Sequence, residues 1–387
     1  MPFSRRCLLP ALLGALALGG CGGGLEGSPI EGKVKEPGTD YALGFPVIAT
    51  KNTTRVAGND PVRDAVGVAR AVYPAVGEGA RPLAVTLVDK RDWRGGIAAA
   101  TLMAPPLRAP ILLTDGKDLP DVTDKAVKDL RPSGTPFVGR TQAFVVGAAG
   151  APPGLNAKRI SAKGPFELAA ALDRFRSAAA GRPSPNIIVT TADDPRFAMP
   201  AAAWAARSGD AVFFTGRNLL PPQTRSAIEA HGHPRIFVLG PRSVVSDAVL
   251  KQLSRLGRVT RIAGPDPVRN AIAFARYING GFGWGIQDPG HGLVIANWNR
   301  PLDAPAAAAL SASGTYGPLL LVDSAKRLPP PLQDYLLDIQ PGYQRDPVRG
   351  VYNHAWLIGD ESAISVASQA KTDALTEIVQ VTGGQGQ

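Results

Sequence analysis

The sequence predicts an α/β protein made of three tandem repeats, each a parallel sheet covered by helices on both faces. The first observation is a recurring segment. Residues 54–63 read TRVAGNDPVR and residues 260–269 read TRIAGPDPVR, while a weaker copy, KRISAKGP, occupies 158–165. The period is therefore roughly a hundred residues, the size of one small domain. We call these three stretches the opening segments of the repeats.

The second observation is the alternation of strand-like and helix-like segments within each repeat. In the first repeat, a short strand at 55–58 is followed by Asp60, a good helix N-cap, and Pro61, a good first helical residue. Apolar residues at helical spacing predict a helix over 61–73. Strands are then predicted at 82–88, 109–114 and 143–147, separated by helices at 96–107 and 122–130.

The same order of elements returns in the second and third repeats. The predicted strands are 186–190, 211–215 and 235–240, then 292–296, 317–322 and 355–359. The predicted helices are 198–207, 222–230 and 246–256, then 304–313 and 331–339. The strands are uninterrupted apolar runs, which is typical of a parallel sheet buried on both faces. Alternating strands and helices of this kind favour a doubly wound α/β unit.

The composition favours a basic globular protein. Of 387 residues, 44% are hydrophobic, so each repeat can bury a core, and the formal net charge is +10. A basic surface favours polyanions or anionic membranes as partners, with solubility alone as the alternative explanation. Export of the chain argues against nucleic acid as a partner.

The N-terminus predicts export and lipid anchoring. Arg5 and Arg6 precede a short apolar run that ends in Leu18-Gly19-Gly20-Cys21, which is similar to the lipobox of bacterial lipoproteins. We therefore expect a signal peptide at 1–20 and lipidation of Cys21. The alternative is an ordinary cleavage site with a chance cysteine. Cys7 would leave with the signal, so the mature chain can form no intrachain disulfide.

These features divide the chain into six segments. Residues 21–50 are rich in glycine, proline and charge and read as a flexible tether. The repeats are assigned to 51–157, 158–259 and 260–375, the second with a degenerate opening segment. Residues 376–387 form the tail.

The repeated segments resemble the cell wall-binding repeat type 2 family over about residues 52–370. The resemblance rests on residues 55–60 and 261–266, on the strand 109–114, and on Val238-Leu239-Gly240 followed by 244–246. It implies three Rossmann-like α/β repeats packed as a pseudo-threefold set. It also implies non-covalent binding to anionic wall polymers and display of an attached effector domain.

The sequence departs from the family pattern in three respects. The family tends to have arginine and an aromatic residue after its Gly-x-Asp, where this chain has Pro61-Val62 and Pro267-Val268, with Arg63 and Arg269 as possible substitutes. The middle opening segment lacks Gly-x-Asp. No separate effector domain is visible either.

The candidate binding residues are basic and aromatic side chains near strand ends. Open α/β sheets bind ligands beyond the carboxyl ends of their strands, where we place a polymer-binding rim. Its candidates are Lys90, Arg91, Arg217, Arg242, Trp298 and Arg300. Arg55 and Arg261, from the opening segments, are candidates too, either for bidentate binding of a phosphate or uronate or for structural contacts between repeats. Asp60 and Asp266 are interpreted as N-caps rather than ligands.

No catalytic, metal or cofactor site is predicted. His231-Gly232-His233 and Asp193-Asp194 are interpreted as a loop and a turn, and the glycine-rich segment 280–285 as a loop whose Phe282 and Trp284 could stack on a sugar. We expect a non-enzymatic, exported lipoprotein on the membrane facing the cell wall, binding an anionic glycopolymer through its three repeats. The alternatives are a solute-binding lipoprotein of a transporter and, with less support, a glycan-processing enzyme.

Overall fold

The structure, a computed structural model, describes residues 47–381. The signal peptide, Cys21, nearly all of the tether and the last six residues of the tail lie outside this range, and the predictions made for them stay predictions. None of the helices within 47–381 is both long and apolar enough to cross a bilayer.

The elements follow the alternation that the sequence predicts. The strands are β1 Val47–Ala49, β2 Thr53–Val56, β3 Val85–Asp89, β4 Ile111–Thr114, β5 Ala143–Val146, β6 Ala157–Ile160, β7 Asn186–Thr191, β8 Ala211–Thr215, β9 Arg235–Leu239, β10 Arg258–Ile262, β11 Gly292–Asn297, β12 Leu319–Val322, β13 Gly342–Tyr343, β14 His354–Ile358 and β15 Val379–Gln380. The α-helices are α1 Pro61–Val72, α2 Trp93–Ala99, α3 Asp121–Leu130, α4 Pro165–Ala180, α5 Pro195–Ser208, α6 Pro222–Glu229, α7 Asp247–Leu253, α8 Pro267–Arg276, α9 Asp303–Ala312, α10 Pro330–Asp338 and α11 Val366–Thr376.

Three parallel sheets share one topology. Their strand orders are β4-β3-β5-β6, β8-β7-β9-β10 and β12-β11-β14-β2, and β1 adds an antiparallel edge strand to the third. In each sheet the first three strands come from a single repeat. The prediction of a three-repeat, parallel α/β fold is confirmed.

The fourth strand of every sheet is the opening strand of another repeat. Strands β6 and β10 begin the second and third repeats but pair with the last strand of the repeat before them. Strand β2, which opens the first repeat, pairs with β14 of the third. The three sheets are therefore linked in a closed cycle. The predicted repeat boundaries mark the period of the sequence, but each sheet contains strands from both sides of such a boundary.

The centre of the molecule consists of the alanine-rich helices α2, α5 and α9, one from each repeat. Each of the three packs against the other two, which gives the set its pseudo-threefold arrangement. Alanine and glycine permit the close approach: a Cβ added at Gly96 of α2 would lie 3.0 Å from Cγ of Pro305 on α9. Helix α9 has buried residues all round, as expected for a central helix.

Several elements were not predicted from the sequence. Helix α4 follows the second opening strand as α1 follows the first, and α11 follows β14. Helix α8, after the third opening strand, was indicated only by the N-cap interpretation of Asp266. The two-residue strands β13 and β15 carry no apolar run that could have indicated them. Strand β1 is apolar but only three residues long, and it lies within the segment assigned to the tether. Helix α4 begins after Gly164, which offers no side-chain cap, so its start had no capping signal.

Enlarging a central alanine should destabilise the protein. Ala202 on α5 is fully buried, so we expect Ala202→Leu to lower the free energy of unfolding by ~1–3 kcal/mol through overpacking. Ala248→Leu, on the exposed face of α7, is the matched control and should change it little. Chemical denaturation of both variants measures the difference, and equal stabilities would contradict the central packing.

Candidate functional site

Arg55, in the opening strand of the first repeat, is a buried structural residue. It is 0% exposed. Its Nε donates to Oε1 of Gln369 at 2.9 Å, and its Nη1 donates to the carbonyl oxygens of Gly359 at 2.8 Å and Asp360 at 3.0 Å. Burial lowers the pKa of its guanidinium. With no exposed surface, Arg55 is not placed to contact a polymer.

The equivalent arginines of the other repeats occupy the same register and contact the same kind of loop. Arg55, Arg159 and Arg261 lie opposite Leu357, Val145 and Val238, each two residues before a strand-ending glycine. Nη1 of Arg261 donates to the Gly240 carbonyl at 2.7 Å, and Nη1 of Arg159 donates to the Gly147 carbonyl at 2.8 Å. The geometry therefore favours the structural alternative for Arg55 and Arg261, because each arginine ties its opening strand to the loop that follows the neighbouring strand.

Removing the buried arginine should cost much more stability than removing its exposed equivalent. Arg55→Met leaves buried carbonyl groups without donors, so we expect a loss of at least ~2 kcal/mol in the free energy of unfolding. Arg159→Met, at the equivalent but exposed position, should cost far less. Thermal and chemical denaturation compare the two variants, and equal losses would show that burial of Arg55 is not what matters.

The predicted rim at the carboxyl ends of the strands is largely neutralised by its own carboxylates. Nζ of Lys90 lies 2.7 Å from Oδ2 of Asp115, and Nε of Arg91 lies 3.0 Å from Oδ1 of Asp89. In the second repeat, Nε of Arg242 lies 3.0 Å from Oδ2 of Asp247. These exposed pairs leave little free positive charge for a polyanion.

Two other rim candidates have no carboxylate partner. Arg217 is exposed in the loop after β8, and no carboxylate within residues 47–381 pairs with it. Trp298 is half-buried, and the guanidinium of Arg196 lies 5.4 Å from its ring centroid. One face of the indole therefore contacts a cation from the neighbouring repeat.

Sequence reasoning missed two arginines that join the repeats at this end. Nε of Arg94, at the start of α2, donates to the Ala192 carbonyl of the second repeat at 2.8 Å. Arg196, at the start of α5, contacts the third repeat through a cation–π interaction with the Trp298 ring. Both follow an aspartate by two residues, and that aspartate caps the helix, which is the signal that could have identified them.

Arg300 joins the third repeat to the first through two buried carboxylates. Its guanidinium pairs with Asp64 on α1, and its Nε lies 2.8 Å from Oδ2 of Asp303 on α9. The side chains of both aspartates are 0% exposed. Burial raises the pKa of Asp303 to about 7 although Arg300 opposes the shift, and burial together with the Asp303 charge raises the pKa of Asp64. The single guanidinium of Arg300 thus pairs with two buried carboxyl groups.

This cluster predicts a stability that falls as the pH rises. The pKa of Asp303 is about 3.9 in an unfolded chain but about 7 when folded. The folded state therefore binds more protons between these values, so the free energy of unfolding should decrease from about pH 5 to about pH 7.5. Asp303→Asn cannot titrate and should show a shallower decrease, measured by urea denaturation across this range. Parallel pH profiles for the two proteins would contradict the assignment.

A cavity of ≈ 1000 Å³ lies at the opposite, amino-terminal edge of the sheets. It is bounded by the C-terminal ends of α1, α5 and α9, at Val72, Arg207 and Ala312, and by Met103, at the end of the 3-10 turn that follows α2. The basic and aromatic side chains that line it are Tyr73, Arg108, Arg207, Trp284, His291 and Tyr316. No Asp or Glu within the described residues lines it. A second cavity of ≈ 560 Å³, which shares Pro105, Ser208 and Gly281 with the first, adds Arg176, Arg182 and Asp210.

The two aromatic residues of the glycine-rich loop have different environments. Phe282 is 0% exposed and stacks on Phe237 with ring centroids 3.5 Å apart, so it is a core residue and cannot stack on a sugar. Trp284 is half-buried, lines the larger cavity, and lies 5.7 Å from the Arg207 guanidinium.

The remaining polar motifs have structural roles. Asp60 and Asp266 cap α1 and α8, which confirms the N-cap interpretation. His231 hydrogen-bonds to Oδ2 of Asp173 and to the Ser184 carbonyl oxygen, and Asp194 caps α5. Within residues 47–381 no group of three or more His, Cys, Asp and Glu side chains is arranged to hold a metal ion.

Comparison with known proteins gives one similar sequence and two structures of similar fold, all bacterial. No family model matches the sequence, so membership of the cell wall-binding repeat type 2 family stays a prediction. The chain is 24% identical over 237 residues to the N-acetylmuramoyl-L-alanine amidase LytC of Bacillus subtilis, a match that covers 60% of this chain and 44% of LytC.

Two solved structures share the fold. Cwp6 from Clostridium difficile aligns with a TM-score of 0.67 at 16% identity, covering 86% of this chain and 51% of Cwp6. Cwp8 from the same organism aligns with a TM-score of 0.65 at 18% identity, covering 84% of this chain and 52% of Cwp8. The chain thus spans about half the length of the proteins it matches, and its α/β repeats have the fold of the regions that align.

Proposed function

We propose that this protein is a non-enzymatic, exported lipoprotein that associates with the cell wall by binding an anionic glycopolymer. The observation that carries the proposal is the cation-rich, acid-free lining of the cavity where the three repeats meet. The fold is shared with the cell wall proteins Cwp6 and Cwp8, and the net charge of +10 favours a polyanion. The lipobox at Cys21 supports anchoring at the membrane that faces the wall.

The interaction should depend on charge. Guanidinium groups bind phosphate and carboxylate by charge-assisted hydrogen bonds, and salt weakens those that remain exposed, with a Debye length of about 8 Å at physiological ionic strength. A neutral wall would offer such groups no partner.

The test is cosedimentation of the purified full-length chain with bacterial cell walls. We expect retention at low salt, release at roughly 0.5–1 M salt where screening is strong, and loss of retention when the anionic polymers have been stripped from the walls by acid. Serum albumin, treated in parallel, controls for trapping. Failure to sediment with untreated walls at low salt would refute the proposal.

The match to LytC gives a second candidate, hydrolysis of the wall amide bond. It rests on 24% identity and on less than half of that enzyme's length. Incubation of the protein with dye-labelled peptidoglycan separates the two functions. A binding protein releases no soluble dye, whereas catalytic release above a heat-treated control would establish hydrolysis instead.

A further inference from the structure

We propose that the cavity at the amino-terminal edge, and not the rim at the carboxyl ends, binds an anionic sugar unit of the polymer. This inference rests on the proposed function and assigns it a site. Its centre is Arg207, whose guanidinium lies 5.7 Å from the ring centroid of Trp284 and 5.6 Å from that of Tyr316.

The combination of an arginine and two aromatic rings suits a pyranose that carries a phosphate or a carboxylate. The C–H faces of a sugar ring pack against aromatic side chains, while the guanidinium binds the anionic group bidentately. Tyr316 is 53% exposed, so its ring remains accessible to a ligand. Arg108, exposed on the lining of the same cavity, provides a second cation from another repeat.

The indole nitrogen of Trp284 does not take part in the site. Its Nε1 atom is buried and has no hydrogen-bond acceptor in the described part of the chain, so a ligand oxygen in the cavity does not reach it. Trp284 contributes to the site through the ring that lines the cavity.

The electrostatics make the two arginines necessary. Three helices end at this cavity, and helix C-termini carry partial negative charge that would disfavour an anion. Arg108 and Arg207 offset this charge, and neither pairs with a carboxylate within residues 47–381. At the rim, by contrast, Lys90, Arg91 and Arg242 are already paired.

The proposed site occurs once in each molecule because each of the three repeats contributes different side chains to it. The second repeat contributes Arg207, the third contributes Trp284 and Tyr316, and the first contributes Tyr73 and Arg108. The adjoining cavity adds Arg176 and Arg182 beside Asp210, which is buried and hydrogen-bonded to Ser184 and Trp204. Its two arginines would let a chain of several sugars continue along the second repeat.

The test compares two arginine variants of equal charge change. Arg207→Gln removes one of the two arginines of the cavity, and Arg217→Gln removes an exposed, unpaired cation of the rim. The full-length variants are titrated with oligogalacturonate, with a phosphodiester-linked glycan and with neutral dextran, and tryptophan fluorescence is recorded. We expect Arg207→Gln to weaken binding of at least one anionic glycan about tenfold or more, and Arg217→Gln to change it less than about twofold.

A second variant separates the site from general electrostatics. Tyr316→Asn removes a ring without changing charge, and asparagine tolerates the positive φ of 55° at this position. We expect it to weaken binding severalfold with an unchanged melting temperature. The preferred glycan identifies the anionic group as carboxylate or phosphate.

Equal losses for Arg207→Gln and Arg217→Gln, or tight binding of neutral dextran, would overturn the assignment of the cavity. The proposed function would survive that result if the wild-type protein still sediments with walls. A wild-type protein that does not sediment with walls would refute both proposals.

Discussion

The exchange of opening strands is the constraint on which the rest of the structure depends. Each sheet is completed by a strand from another repeat, and the pairing of β2 with β14 joins the two ends of the described chain into a closed cycle. No repeat can therefore complete its sheet alone. The arginine of each opening strand strengthens this exchange. Its guanidinium donates hydrogen bonds to the loop that follows the neighbouring strand of the sheet. Arg55, which closes the cycle, is the one of the three that is fully buried.

Closure of the cycle brings the central helices together and creates two chemically different ends. At the carboxyl ends of the strands, Arg94, Arg196 and Arg300 each contact the next repeat. These cations are used to hold the repeats against one another. At the amino-terminal edge, Arg207 also contacts the next repeat, through the rings of Trp284 and Tyr316. Neither Arg207 nor Arg108 pairs with a carboxylate within the described residues, so the positive charge of this cavity is not neutralised as it is at the rim.

The repeats are equivalent in topology but not in side chains. Three similar domains suggest several similar surfaces that would act together. Instead, the cavity at the amino-terminal edge is lined by different residues from each repeat. The three repeats share one sheet topology. Their loops and helix ends differ in sequence, so they contribute different side chains to the cavity. A repeated fold can therefore present a cavity whose walls carry different side chains from each repeat.

The sequence alone determined the period, the parallel α/β class, most of the helices and strands, and the capping roles of Asp60 and Asp266, because these depend on local patterns of apolar residues and caps. It also indicated that Trp284 could face a ligand. Only the tertiary structure decided that the opening strands belong to neighbouring sheets, that Arg55 is buried, that Phe282 is core, and that Arg207 lies between Trp284 and Tyr316. Those facts depend on contacts between residues distant in the chain, where burial and ion pairing are set by packing and leave no periodic signal in the sequence.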